Sequence, residues 1–192
     1  MHLGTTTDVV TAVATSAIAI TGVCALSYTA IQLKRSRDDE RVRHLVEFIK
    51  EFDSEPMTGW RRGVANQRLR GGDLPDEWLR LLDFFETIGL LVRRGYLDVH
   101  DVWSMFSYWM FSIYADFRDD IEQIRRDNDT FYGDFCDLIE RLREIEEESG
   151  GTDDRPSKDE IREFWEDEAN TLPGGPMKKR RKSKQTESAN QT

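Results

Sequence analysis

Apolar side chains recur three and four residues apart along most of this chain, which is the spacing of one face of an α-helix. The clearest repeat is Trp78, Leu81, Leu82, Phe85, Ile88, Gly89 and Val92. It predicts a helix with Pro75 in its first turn, where a missing N–H costs nothing. Asp76 and Glu77 sit at its positive end, and Arg93 and Arg94 at its negative end. Gly95 suits the left-handed residue just past a helix end. Leu79, Phe84, Leu90 and Leu91 widen the apolar face, so this helix should be central and covered on most sides. Asp98 reads as the N-cap of the next helix, with Asp101 three residues on in an acidic capping box.

The other repeats fall around it. Val42, Leu45, Val46, Ile49 and Phe52 form a stripe within a helix expected over 35–52. Asp53-Ser54-Glu55-Pro56 should break it, because a residue before proline avoids the helical region. A second helix is expected over 57–70, with Trp60, Val64 and Leu69 inward, ended by Gly71-Gly72. Residues 99–127 predict a long helix, with Val102, Trp103, Phe106, Trp109, Met110, Ile113, Phe117, Ile121 and Ile124 on one side. A helix over 131–148 has Phe135, Leu138, Ile139, Leu142 and Ile145 inward. No segment alternates as a strand does. The fold class is all-α: a bundle of four or five helices.

Val9 to Leu33 is 25 residues without a charge. At 1.5 Å per residue that spans about 30 Å of hydrocarbon, so it reads as a transmembrane helix. Met1–Asp8 lacks the basic residues of a signal peptide, and the apolar stretch is too long for one. Lys34, Arg35, Arg37, Arg41 and Arg43 follow directly. The positive-inside rule then places the N-terminus outside and the remainder in the cytoplasm. Val13, Ala17, Thr21, Ala25 and Thr29 recur every four residues, and small residues at that spacing let two helices approach closely.

The expected organisation is therefore an extracytoplasmic stub over 1–8, a span over 9–33 and a cytosolic helical domain over 34–148. An acidic linker with one short helix follows over 149–177, then a disordered basic tail over 178–192. The short helix, 157–170, carries Ile161, Phe164 and Trp165 as a small apolar patch; it either docks on the bundle or waits for a partner. Charge supports this division. The net charge of −10 is uneven: residues 34–148 carry 18 basic and 27 acidic side chains, and 178–192 carry six and one. So acidic a body disfavours a broad nucleic-acid face. The tail run Lys178, Lys179, Arg180, Arg181, Lys182 and Lys184 suits anionic lipid or a partner.

Candidate chemistry is sparse. His2, His44 and His100 are scattered, with no second ligand at metal spacing. Cys24 and Cys136 make no CxxC, so neither a disulfide framework nor a zinc site is indicated. Phosphate loops, nucleophile elbows and zinc-peptidase helices are missing from the sequence. Asp116, Asp119, Asp120 and Glu122 precede Arg125 and Arg126 on one helix and read as ordinary ion pairs. Glu86 is the one charge inside the wide apolar face. A buried carboxylate needs a partner, and Arg125 and Arg61 are the candidates for a structural ion pair. The aromatics Trp103, Phe106, Tyr108, Trp109, Phe111, Tyr114 and Phe117 exceed what one face buries. A core helix packed on two sides explains them; Tyr108 and Phe111 are the members expected to be exposed.

The stretch Phe84 to Asp98 contains Phe85-Glu86-x-Ile88-Gly89 and then Arg94-Gly95-x-Leu97-Asp98. It resembles the signature of a family of prokaryotic single-pass membrane-anchored helical proteins catalogued as a domain of unknown function. In that pattern a Trp-rich helix follows, here Trp103–Trp109, then an Ile-x-x-x-Arg step at Ile121–Arg125 and an aromatic-acidic segment at Phe131–Phe135. The resemblance covers roughly 41–148 and leaves the linker and tail unmatched. It implies the architecture and a prokaryotic membrane, and it supplies no catalytic residues.

The expected function is a non-enzymatic interaction or scaffolding module on a membrane anchor, with no cofactor. Its partners would be the bilayer and another membrane or cytosolic protein, or a second copy of itself. Two further readings come from other classes. One is a membrane effector or regulator in a stress or defence response, acting through oligomerisation of the span. The other is an enzyme with a carboxylate site around Glu86 or Asp116–Glu122.

Overall fold

In the computed structural model, residues 28–29, 32–33, 35–36, 38–150 and 156–172 are described. The chain divides into two compact units, Met1–Arg43 and His44–Thr192. The described residues of the first unit are helical. Arg41 and Arg43 pair locally there with Asp38 and Glu40, at 3.9 and 3.3 Å. The expected span at 9–33 lies almost wholly outside the described residues. Among the described residues no helix is long and apolar enough to cross a membrane.

The second unit is built from helices, and the described residues contain no strand. Its first helix, α1, comprises residues 44–52. Then come α2 (Glu55–Arg70), α3 (Glu77–Arg93), α4 (Val99–Asp127), α5 (Gly133–Glu148) and α6 (Lys158–Ala169). The expected break at 53–56 is shorter than the proline suggested. Pro56 lies in the first turn of α2, where its ring fits and no intrahelical N–H is needed. The end of α3 does follow its sequence. Gly95 is left-handed (φ 75°), and the N–H groups of Gly95 and Tyr96 donate to the carbonyls of Val92 and Leu91 at 3.0 and 2.9 Å. That is a Schellman turn, and it closes the open carbonyls of α3. Asp98 then caps α4, accepting from the His100 N–H at 2.9 Å.

Phe52, at the end of α1, is fully buried and sits at the centre of the core. Its ring stacks on Phe84 of α3 at 5.4 Å and meets Phe106 and Trp109 of α4 edge-on at 5.5 and 5.2 Å. Such pairs add to the area they bury by about 0.5–1.5 kcal/mol each. α3 is covered by α2 on one side and α5 on another. α6 packs on α2 and α4, burying Phe164 and Trp165. The bundle therefore runs past residue 148, and the short helix of the expected linker is part of it. Phe111 is buried, and Tyr108 is half-buried with the Phe164 ring edge-on at 5.5 Å. The aromatic surplus of α4 is thus a two-sided core, and neither of these residues is exposed as expected.

Gly89 lets α3 and α5 meet closely. A Cβ there would lie 2.3 Å from the main-chain carbonyl oxygen of Asp134, which cannot move alone. Gly63, in α2, is exposed, with nothing within 4 Å of where a Cβ would stand. Alanine is the better helix former by about 1 kcal/mol, so the two sites should respond in opposite senses. Gly63→Ala is expected to stabilise by about 0.5–1 kcal/mol. Gly89→Ala is expected to cost about 1–3 kcal/mol, because overpacking exceeds the helical gain. Urea unfolding of the full chain followed by tryptophan fluorescence reads both; equal responses would remove the close approach.

Candidate functional site

Two clusters of charged side chains tie the helices together. The first joins α3 to the start of α5. Glu86, Gly89 and Arg93 are three and four residues apart, so they share one stripe of α3. All three meet residues 134–135. The first turn of α5 has N–H groups without intrahelical acceptors. Its N-cap residue is Tyr132, left-handed at φ 53°, whose side chain offers no cap. Glu86 supplies one from outside: its carboxylate accepts from the N–H of Phe135 at 2.7 Å and of Asp134 at 3.3 Å. A negative charge there also faces the positive end of the α5 dipole. Arg93 grips the Asp134 carboxylate with two donors, Nε on Oδ1 and Nη2 on Oδ2, the second at 3.0 Å. Phe85 stacks on Phe135 at 5.6 Å, and the Tyr132 hydroxyl donates to Asp83 at 3.4 Å. Burial pushes the Glu86 pKa up; the two N–H bonds and the charge of Arg125 pull against it, and Asp134 adds to it.

The second cluster joins α2, α4 and α6. Arg61 of α2 is buried, its side chain 4 % exposed. Its Nε donates to Glu168 of α6 at 2.7 Å, and its Nη1 donates to the Phe52 carbonyl at 2.9 Å. The guanidinium lies 4.0 Å from the centroid of the Phe52 ring, a cation–π contact in a dry setting. The other oxygen of Glu168 accepts from the Trp109 indole N–H at 2.9 Å. Two turns further along α2, Arg68 donates to Asp116 of α4 through Nε at 2.7 Å. The same Asp116 oxygen accepts from the Trp165 indole of α6 at 2.8 Å. Tyr108 lies beside this cluster, its pKa pushed up to about 12 by burial and by the carboxylates of Asp167, Glu168 and Glu163.

These partners correct the expected ion pair. Glu86 is held by main-chain N–H groups and not by a guanidinium, since the uncapped turn of α5 already supplies two donors. Arg61 faces α6 and pairs with Glu168. Arg125 lies beside Cys136, and its charge reaches Glu86 only through space. Asp116 holds Arg68 and Trp165, whereas Glu122 pairs with Arg118 at 2.8 Å. The acids of α4 therefore do not converge. No group of three or more metal-ligating side chains occurs among the described residues. Thr29 is helical and exposed. Ala17, Thr21, Ala25, Lys178, Lys179, Arg180, Arg181, Lys182 and Lys184 lie outside the described residues. Glu168 escaped the sequence reading. Its signal was a glutamate on the same face as Phe164 and Trp165 in a helix with one apolar patch.

Fold and clusters define a helical bundle whose buried charges fasten one helix to another. The chain belongs to the family described as a domain of unknown function, DUF4760, whose model matches residues 11–142. No curated protein and no solved structure matches it.

Each cluster gives an expected outcome. Glu168→Gln leaves the buried Arg61 charge without its hydrogen-bonded counter-ion, with the Asp53 charge acting on it only through space, an expected loss of about 3–5 kcal/mol. Arg61→Met with Glu168→Gln removes that charge and keeps an acceptor for Trp109, so the double variant should be more stable than Glu168→Gln alone. Denaturation midpoints decide; a single variant as stable as wild type would contradict the burial argument. At the other cluster the sign follows from the raised pKa of Glu86. Below the ordinary value of 4.5 the group is protonated both folded and unfolded. Above it the folded chain holds the proton longer, so stability falls as pH rises towards the native value. Glu86→Gln lacks this titration. The advantage of wild type over the variant should therefore be larger at low pH and narrow as pH rises through that window; a widening gap would show that the N–H bonds outweigh burial.

Proposed function

We propose that this chain is a single-pass membrane protein of the prokaryotic inner membrane, whose cytosolic bundle is a non-enzymatic interaction or scaffolding module. The uncharged run Val9–Leu33, followed by Lys34, Arg35, Arg37, Arg41 and Arg43, supports the anchor and its orientation. The observation that carries the interaction role is the fate of the acids. Glu86, Asp116 and Glu168 each accept from structural donors on another helix. Side chains so held are suited to keeping a shape, and the product of a kept shape is a surface. The basic run at 178–184 would add attraction to an anionic leaflet, about 1 kcal/mol per basic residue near the surface.

Purification of the intact protein from membranes in mild detergent tests this reading. A protein partner at fixed stoichiometry is expected, and alkaline carbonate should leave the chain in the membrane pellet. Release by carbonate would remove the anchor. A homo-oligomer with no partner would favour the second reading, an effector assembled through Ala17, Thr21 and Ala25, and a lone monomer would remove the interaction module.

A further inference from the structure

The matched family residues end at 142, within α5. Arg61, Tyr108, Trp109, Asp116 and Phe117 all lie inside that region, and together they form one face of α2 and α4. The helix that covers this face lies beyond it. α6 seats the Phe164 ring 5.5 Å from Tyr108 and the Trp165 ring 5.8 Å from Phe117. It sends its two polar anchors, the Trp165 indole and the Glu168 carboxylate, to Asp116 and Arg61. The most buried cation of the face thus receives its carboxylate from outside the matched residues.

We infer that the α2–α4 face is a helix-docking groove and that α6 is its tethered occupant. The exchanging ligand is an acidic amphipathic helix of a partner protein, with an aromatic pair and a glutamate three residues past the second ring. This deepens the interaction-module reading and rests on it. Three features commit the groove to that chemistry. The buried guanidinium cannot be left bare, so a replacement has to bring a carboxylate. The indole acceptor Asp116 and the neighbouring rings select aromatic side chains. The observed occupant is acidic, with six carboxylates against two basic side chains over Lys158–Ala169. Such a helix is also suited to replacement. Twelve residues are too few for a stable isolated helix in water, so α6 is ordered by the groove it fills. Its tether is the nine residues 149–157. A tether that short gives an effective concentration on the order of millimolar. A partner helix must overcome that concentration, and α6 thereby sets a threshold for binding.

The test uses the full-length chain in mild detergent, with a protease site placed within residues 151–155. The probe is a fluorescent peptide of residues 156–172, read by polarisation before and after cleavage. Uptake by the cut protein and little uptake by the uncut protein are expected. A Glu168→Ala probe should bind about a hundredfold more weakly and a Trp165→Ala probe at least about tenfold more weakly. No uptake after cleavage, or uptake indifferent to Glu168, would overturn the groove. Equal uptake by uncut protein would show that α6 does not occupy it. Loss of helicity on cutting beyond the twelve residues of α6 itself would make α6 an integral helix and end the proposal. A dimer in the uncut sample with α6 exchanged between copies would replace the partner by a second copy of this chain. Each of these outcomes can occur whether or not a partner co-purifies, so the two readings fail separately.

Discussion

A guanidinium with 4 % of its side chain exposed is the constraint around which this bundle closes. Arg61 can be buried only if something answers its charge and its N–H groups. The Phe52 carbonyl and the Glu168 carboxylate do so, and the Phe52 ring lies beneath the cation. Glu168 is itself buried, so it needs a second donor and takes the Trp109 indole. Each group is satisfied by the next, and no buried side-chain nitrogen or oxygen among the described residues lacks a partner. Four elements, α1, α2, α4 and α6, are joined through one ion pair between residues 107 apart.

The α3–α5 contact solves the complementary problem of an uncapped helix start. Tyr132 cannot cap α5, and no side chain local to it does. Glu86 completes the turn from the facing helix, and Gly89 lets that helix come near enough. Arg93 then neutralises the Asp134 carboxylate beside it. The Glu-x-x-Gly-x-x-x-Arg stripe on α3 is therefore the counterpart of one particular helix terminus. The adjoining Arg-Gly-x-Leu-Asp has a separate task, closing α3 and opening α4.

Period alone revealed the helices, because each element buries at least one face and apolar spacing records most of it, Leu69 being an exposed exception. Turn residues with a local mechanism, Gly95 and Asp98, were legible for the same reason. The oddity of Glu86 was legible too, as a charge in an apolar stripe. Its partner was not. A main-chain N–H has no residue type, so a carboxylate held by the backbone of a distant helix leaves nothing in the sequence to match. The nearest signal was negative: residues 131–133, Phe-Tyr-Gly, contain no serine, threonine, aspartate or asparagine to begin α5. Arg61 and Glu168 were hidden by their separation. Two opposite charges among so many give no sign of which pair will be buried, and only the third dimension selects one. The surplus aromatics of α4 were a fair clue to α6, since a helix with two apolar faces needs a second cover.

The buried pair also does something that apolar packing cannot. Phe164 and Trp165 would gain area in several placements of α6, because hydrophobic contact is not directional. Moving α6 by one residue would turn its face by about 100°. The carboxylate would then leave Arg61 and the indole would leave Asp116. The loss would be several kcal/mol for the stranded cation alone, on the order of what breaking a buried pair costs. By contrast Arg93 is 59 % exposed, so water screens its pairing with Asp134 and an error there costs little. The two clusters thus hold the bundle by different means. At α5 the register comes from a helix end and a missing Cβ; at α6 it comes from a charge that tolerates only one position.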